Sequence, residues 1–266
     1  MSDNHLRRHL APLSEAAWEQ VDDEARRCLK LYLAGRHVVD VHGPVGWDVD
    51  AVTQGLATAV PFSSDDVHAA VREPMPFLEL RTPFRMSLAN LDNADRGNTA
   101  IDTSAVIAAA QAAARAEDSF IFRGLDHAAG VMSATPLKVA VPNPDSTAYA
   151  AGIARAVDAL RAADIAGPYA LVVGEAQYTQ LVSTTEEGGY PLLEHVKSIL
   201  GGPVHWAPFD TAGVVVSLRG GDFALTLGED LSIGFAGWTG DTVDLYIQES
   251  IALQVFTPNA AVALTS

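Results

Sequence analysis

A chain of 266 residues, 48% apolar and 19% charged, holds enough hydrophobic material for one large domain or two small ones, which excludes a disordered protein. Its formal net charge is −16, and from residue 141 onward only Arg155, Arg161, Lys197 and Arg219 stand against fourteen acids. Nucleic-acid binding needs clustered Lys and Arg to displace counterions, so the charge argues against that class, and the acids read as solubilising surface.

No apolar run reaches the roughly 18 residues of a membrane span, and no hydrophobic segment of a signal peptide accompanies Arg7 and Arg8. Cys28 is the single cysteine, so internal disulfides are excluded and a reducing cytoplasm is expected.

In chain order, Ser14 caps a first helix whose positive end is favoured by Glu15 and Glu19. Trp18, Val21, Ala25, Cys28, Leu29 and Tyr32 form its apolar stripe, and Gly35 closes it. Such a stripe docks on the protein's own core or forms a groove for a partner peptide. Arg36–Val41 alternates as a strand, and Gly43-Pro44-Val45-Gly46-Trp47 turns the chain. Residues 48–76 read as an arm. Its two segments, near Val52–Pro61 and Val67–Val71, flank the turn Ser63-Ser64-Asp65-Asp66, and neither half buries much surface alone. The arm either pairs with another subunit or stays a mobile loop.

Phe77–Phe84 reads as extended, and Asn90–Gly97 as a polar crossing. A long helix follows, with Asp102, Thr103 and Ser104 as candidate caps and no Gly or Pro from Val106 to Phe122. Positions 108–110, 112–114 and 116 are Ala, the best helix former, so other elements pack closely around this spine. Gly124 is expected as a left-handed C-terminal cap.

Leu137–Val141 reads as a strand, Pro142-Asn143-Pro144 as a break, and Ser146 as the cap of a helix to Ala163 with Ala150, Ile153, Ala156, Val157 and Leu160 inward. Tyr169–Val173 is a fully apolar strand, as in a buried sheet. Helices near Ala176–Val182 and Leu192–Leu200 flank the loop Ser183–Pro191. Strands are expected at Val204–Ala207, Gly213–Leu218, Phe223–Leu227, Leu231–Phe235, Thr242–Gln248 and Ala252–Thr257, giving an α+β protein without internal repeats.

The residues show little catalytic chemistry. There is no Gly-x-Ser-x-Gly elbow, phosphate-cradling Gly loop, His-Glu-x-x-His or Cys-x-x-Cys. Asp40 and His42 share a strand face but lack a third ligand. Cys28 reads as a packed thiol with no nearby base, and Glu186 and Glu187 on a Gly-rich loop read as solvated carboxylates. No residue set points to an enzyme.

The order of short blocks resembles the encapsulins, nanocompartment shell proteins with an HK97 phage-capsid-like fold, over nearly the whole chain. The resemblance is carried by Leu10–Glu15 with Trp18, Gly35-Arg36, Val38–Val41, Gly43-Pro44 and Gly46-Trp47. Leu91-Asp92-Asn93, Arg96-Gly97, Glu117-Asp118 and Ile121–Gly124 continue it. Gly167-Pro168-Tyr169, Tyr190-Pro191-Leu192, Arg219–Phe223, Leu227-Gly228 and Asp230–Gly234 complete it.

The resemblance implies five segments. These are 1–47 (N-terminal helix and strand, facing cargo), 48–76 (E-loop), 77–137 (P-domain with the spine helix), 138–225 (A-domain) and 226–266 (P-domain C-terminal strands). It implies a shell of about 60 copies, or a larger icosahedral number, closed by rotational symmetry, with neither nucleic acid nor membrane as partner. It further implies a cargo protein, a dye-decolourising peroxidase or a ferritin-like iron oxidase, held through a C-terminal peptide. The matching peptide-binding positions are Arg36, Asp40 and Ile233, with Leu29, Leu33 and Phe235 as apolar neighbours. The loop Thr184, Thr185, Glu186, Glu187, Gly188, Gly189 and Tyr190 falls where the family lines its five-fold pore. There the two glutamates would form an acidic ring that favours cations such as ferrous iron. Flavin-carrying members have a Trp where this chain has Ala89, so no flavin, and no metal or other cofactor, is expected. A phage major capsid protein is the alternative within the same fold, and a hydrolase or bacteriocin is the third reading.

Overall fold

A computed structural model describes residues 4–62, 66–126, 128–142, 148–186, 188–208 and 212–265. The expected cap Ser146, the turn residues 63–65, the break residues 143–144 and Glu187 lie outside these. Helix α1 (Glu15–Tyr32) starts where Ser14 accepts from the Ala17 amide at 3.2 Å, and buries Ala17, Val21, Ala25, Cys28 and Leu29 along one face. The chain then departs from the expected strand over Arg36–Val41. Gly35–His37 is a 3-10 turn, and strand β1 spans only Asp40–His42. The reason lies on the spine helix. The Asp118 carboxylate takes the amides of Ala34 (3.1 Å) and Gly35 (2.7 Å), and the turn they open uses the amides of His37 and Val38 on Ala34 O and Gly35 O in place of a ladder. Gly35 also passes so close to the helix that a Cβ there would sit 2.5 Å from Ile121 Cδ1.

Strands β2 (Ala51–Val60) and β3 (Ala69–Pro76) pair antiparallel as the arm, with a bulge between Thr53 and Leu56 at Gly55 (φ 71°). Leu56 and Val71 are more than half exposed, so the arm has no core of its own. After β4 (Leu78–Ser87), the expected polar crossing is instead helix α2 (Leu88–Asp95). Ser87 caps it by accepting from the Asn90 amide at 3.2 Å, and Leu91 and Ala94, three apart, supply a buried face among the polar residues.

The spine is α3 (Ser104–Arg123), about 30 Å long at ~1.5 Å per residue. Of the three candidate caps, Asp102 supplies the bond, its Oδ1 accepting from the Ser104 amide at 2.9 Å. Gly124 ends the helix at φ 74°, ψ −163°: the positive φ is as expected, but ψ is extended rather than left-handed helical. A Cβ there would collide with the backbone of Ala128 and Gly130, because β5 (Gly124–Leu125) folds directly back on β6 (Ala128–Ala129).

Helix α4 (Val131–Ala134), β7 (Lys138–Ala140), α5 (Ala148–Ala162), β8 (Tyr169–Gly174), α6 (Glu175–Ser183), α7 (Leu192–Leu200), β9 (Val204–Ala207) and β10 (Val214–Ser217) follow. The inward residues expected on α5 are all buried, and so is every residue of β8. Phe223–Leu227 and Leu231–Phe235, expected as two strands, are one, β11 (Phe223–Thr239); likewise β12 runs unbroken over Thr242–Val255. Register shifts at Leu227/Glu229 and Glu229/Ser232 explain why the alternation in sequence looked broken. Strand β13 (Ala261–Thr265) ends the chain.

Two main sheets result, in orders β1-β11-β12-β4 and β7-β13-β10-β8-β9. The last strand thus lies in the second sheet, between β7 and β10, and not beside β11 and β12. Two apolar cores accompany the sheets. One gathers α1, α2, the first half of α3 (Val106–Ala114) and the distal part of the β11–β12 hairpin. The other gathers the second sheet, α5, α7 and the proximal hairpin with Phe120–Phe122 of α3. A single helix therefore belongs to both. An aromatic bridge joins the same parts: Tyr32 meets Trp206 edge-on at 5.2 Å, and His37 stacks on His205 at 4.8 Å.

Gly124→Ala is expected to lower stability by roughly 1–3 kcal/mol, since no L-residue fits that backbone without moving the β5–β6 turn. A thermal midpoint equal to that of the parent protein would contradict this account of the cap.

Candidate functional site

The turn at Gly35–His37 aims Arg36 into the middle of the fold. Its guanidinium grips Glu117 of α3 bidentately, at 2.8 and 2.7 Å, reaches Asp230 of β11 at 2.8 Å, and lies 3.4 Å from Glu249 of β12. Glu117 and Glu249 are fully buried, whereas half of the Asp230 side chain is exposed. Burial works against the charge on Arg36, yet the hydrogen bonds and charges of Glu117 and Asp230 hold its pKa above the ordinary value. Glu249 is pushed well above the usual carboxylate range by burial and by the neighbouring Glu117 charge. One cation thus faces two buried carboxyl groups, of which Glu249 favours its neutral form, and a third carboxyl at the surface.

Above this junction runs a groove of about 820 Å³. The face of α1 forms one wall and residues 228–233 of β11 the other, with the Pro44–Trp47 turn at the end. Leu29, Leu33, Ile233 and Ile247 give it an apolar lining; Arg26 and Lys30 stand on the helix rim, Glu229 and Asp230 on the strand rim. The N-terminal segment closes one side. The His5 ring stacks on Trp47 (4.5 Å, 8°), and its Nε2 lies 2.6 Å from Glu229 Oε1. Arg8 pairs bidentately with Asp22 at 3.0 and 2.6 Å and lies over the Trp18 ring at 3.9 Å.

Of the residues singled out in the sequence, Leu29, Leu33, Arg36 and Ile233 line this groove together. Asp40 does not. It lines a separate cleft of about 200 Å³ with His37 and Gly220, and its carboxylate accepts from the Gly221 amide at 2.6 Å. Phe235 is buried in the core under α1, its ring 6.1 Å from that of Trp238. Sequence reasoning missed His5, Trp47, Glu229 and Ile247. The first two belong to segments too short for periodicity, and a β-bulge obscures the facing of Glu229.

The loop after α6 is built separately. Thr184 caps that helix, Thr185 bridges to Pro191, and the Glu186 amide donates to Tyr190 O at 2.8 Å. Gly188 and Gly189 take φ of 100° and 83°, which favours glycine, and Tyr190 is 53% exposed. The Glu186 carboxylate is paired with His195 Nδ1 at 2.8 Å.

Comparison with known proteins decides the family. The family described as "Encapsulating protein for peroxidase" matches residues 3–252. The type 1 encapsulin shell protein of Rhodococcus erythropolis is 38% identical over 98% of this chain and 99% of its own length. That of Rhodospirillum rubrum is 40% identical over 98% of this chain and 96% of its own. The chain belongs to the encapsulin shell-protein family.

Solved structures agree on the fold. A virus-like particle from Pyrococcus furiosus superposes with a TM-score of 0.66 at 19% identity, covering 93% of this chain and 98% of the other. The capsid of Myoviridae phage XM1 superposes at 0.56 with 13% identity, covering 85% and 89%. The HK97 phage-capsid-like fold expected from the sequence is thus present, and this encapsulin is a structural subunit of a self-assembling cage, not an enzyme. Among the described residues, no helix is long and apolar enough to cross a membrane.

The junction under the groove has a pH signature. Asp118 is pushed up to about 7, first by burial; the amides of Gly35 and Ala34 oppose this, and the Glu117 charge adds to it. A carboxyl whose folded pKa exceeds its unfolded value of ~3.9 stabilises most below that value, and loses its contribution as pH rises toward the folded pKa. Asp118→Asn keeps one acceptor and removes the titration. The stability gap between the parent and this variant is therefore expected to narrow by roughly 2–3 kcal/mol from pH 5 to pH 8. Thermal melts at several pH values measure it, and a gap independent of pH would contradict the assignment.

Proposed function

We propose that this encapsulin encloses a cargo protein whose C-terminal peptide lies in the groove between α1 and β11, on the inner wall of the cage. The observation that supports this is the groove itself. Extended peptides are held by apolar pockets with a few fixed polar contacts, and here Leu29, Leu33, Ile233 and Ile247 lie beside the charged rims and the Arg36 junction. The volume, about 820 Å³, is ample for several residues of extended chain. The cargo is a dye-decolourising peroxidase or a ferritin-like iron oxidase, and the cage is cytoplasmic. The loop 184–190 lines a pore that passes small ions and substrates. A phage-capsid role is disfavoured by the charge of −16, which suits a shell without packaged nucleic acid.

The test is co-expression with a dye-decolourising peroxidase that carries its own C-terminal tail. Ile233→Asp places an unpaired carboxylate in the apolar lining. Cages of unchanged diameter should then contain at least tenfold less peroxidase than the parent cages. Equal loading in the variant would remove the groove from the account. A peroxidase truncated of its tail serves as the control and is expected to remain outside.

A further inference from the structure

We propose that Glu186 and His195 form a binding site for a divalent first-row transition-metal ion, one on each subunit. Glu186 Oε1 lies 2.8 Å from His195 Nδ1, and both side chains reach solvent, at 20% and 41% exposure. Both donors are held by backbone. The Glu186 amide donates to Tyr190 O at 2.8 Å, and its carbonyl accepts from Gly189 at 2.9 Å. The bridge between Thr185 and Pro191 closes the loop, and the His195 amide donates to Pro191 O at 3.2 Å. The Tyr190 ring flanks the imidazole, with centroids 6.5 Å apart.

A hydrogen bond of this length between a carboxylate and an imidazole is also a chelating bite. Donors 2.8 Å apart, each about 2.0–2.2 Å from an ion, subtend an angle of about 80–90° at it, the cis angle of an octahedral or square site. The ion replaces the bridging proton, which passes to solvent. Lys197, the cation on the same helix, is engaged by Glu194 at 2.8 Å. Imidazole with carboxylate favours nickel, cobalt, zinc, copper and ferrous ions over magnesium and calcium. Among the described residues no group of three His, Cys, Asp or Glu could share an ion, so water completes the coordination and exchange is fast. Such a site captures ions and passes them on, where a closed four-ligand site would keep them. It does not depend on whether the loop lines a pore, and stands or falls apart from the peptide groove.

The experiment titrates untagged, assembled protein with nickel chloride by calorimetry, and repeats the titration with cobalt chloride while following the visible d–d bands. The parent is expected to bind one ion per subunit at this site. Glu186→Gln and His195→Asn, both near-isosteric, should each remove one ion per subunit or weaken it at least tenfold with particle diameter unchanged, and magnesium chloride should give no comparable heat. Nickel binding that is identical in the parent and both variants would overturn the proposal, as would a parent protein that binds no nickel.

Discussion

The grip of the spine helix on the chain that leaves α1 is the constraint on which the rest depends. Two consecutive residues of that helix, Glu117 and Asp118, take the Arg36 guanidinium and the amides of Ala34 and Gly35. Both carboxylates are buried, so removing any partner leaves an uncompensated charge or donor in the interior. Because α3 belongs to both apolar cores, this contact fixes where α1 lies relative to both sheets. The groove is a consequence. Its floor and one wall exist only while α1 is held at this distance from β11, and Asp230, on its opposite rim, belongs to the same network.

A buried ion network is weak support for stability, since apolar residues of similar volume often serve as well. Its value here is geometric. Arg36 joins α3 to both strands of the β11–β12 hairpin, more than a hundred positions further along the chain, through a planar fork that accepts few arrangements. A shell subunit has to present the same surfaces to every neighbour, and small errors in the angle between its parts would prevent closure. The arm, by contrast, exposes apolar side chains such as Leu56 and Val71 on two strands that pair chiefly with each other.

Much of this was legible in the sequence. The stripe on α1, the Ala-rich spine, the inward face of α5 and the apolar β8 follow from periodicity and burial, and the structure places them as the patterns imply. What failed did so for local reasons. Asn90–Gly97 looks like a loop by composition, but Ser87 caps it and Leu91 with Ala94 anchors it as a helix. The residues after Gly35 alternate like a strand, but Asp118, more than eighty positions away, holds the amides of Ala34 and Gly35 and so fixes the turn with which that segment begins. The bulges of β11 interrupt the alternation that marks a continuous strand. Of the positions that the family resemblance implied, Arg36, Ile233, Leu29 and Leu33 line the groove, whereas Asp40 and Phe235 do not. His5 and Trp47 were not among those positions, because their contribution is a stacking contact between two short segments that no periodicity announces. The pairing of Glu186 with His195 was equally silent, since it depends on how the loop closes between Thr185 and Pro191.

The most direct measurement is negative-stain microscopy of the protein expressed alone, with absorbance at 260 and 280 nm read on the same fraction. The account predicts uniform hollow particles of roughly 20–30 nm, as closure by heterologous contacts requires, with the absorbance of protein free of nucleic acid. A monomer, a small oligomer, or particles that carry nucleic acid would contradict it.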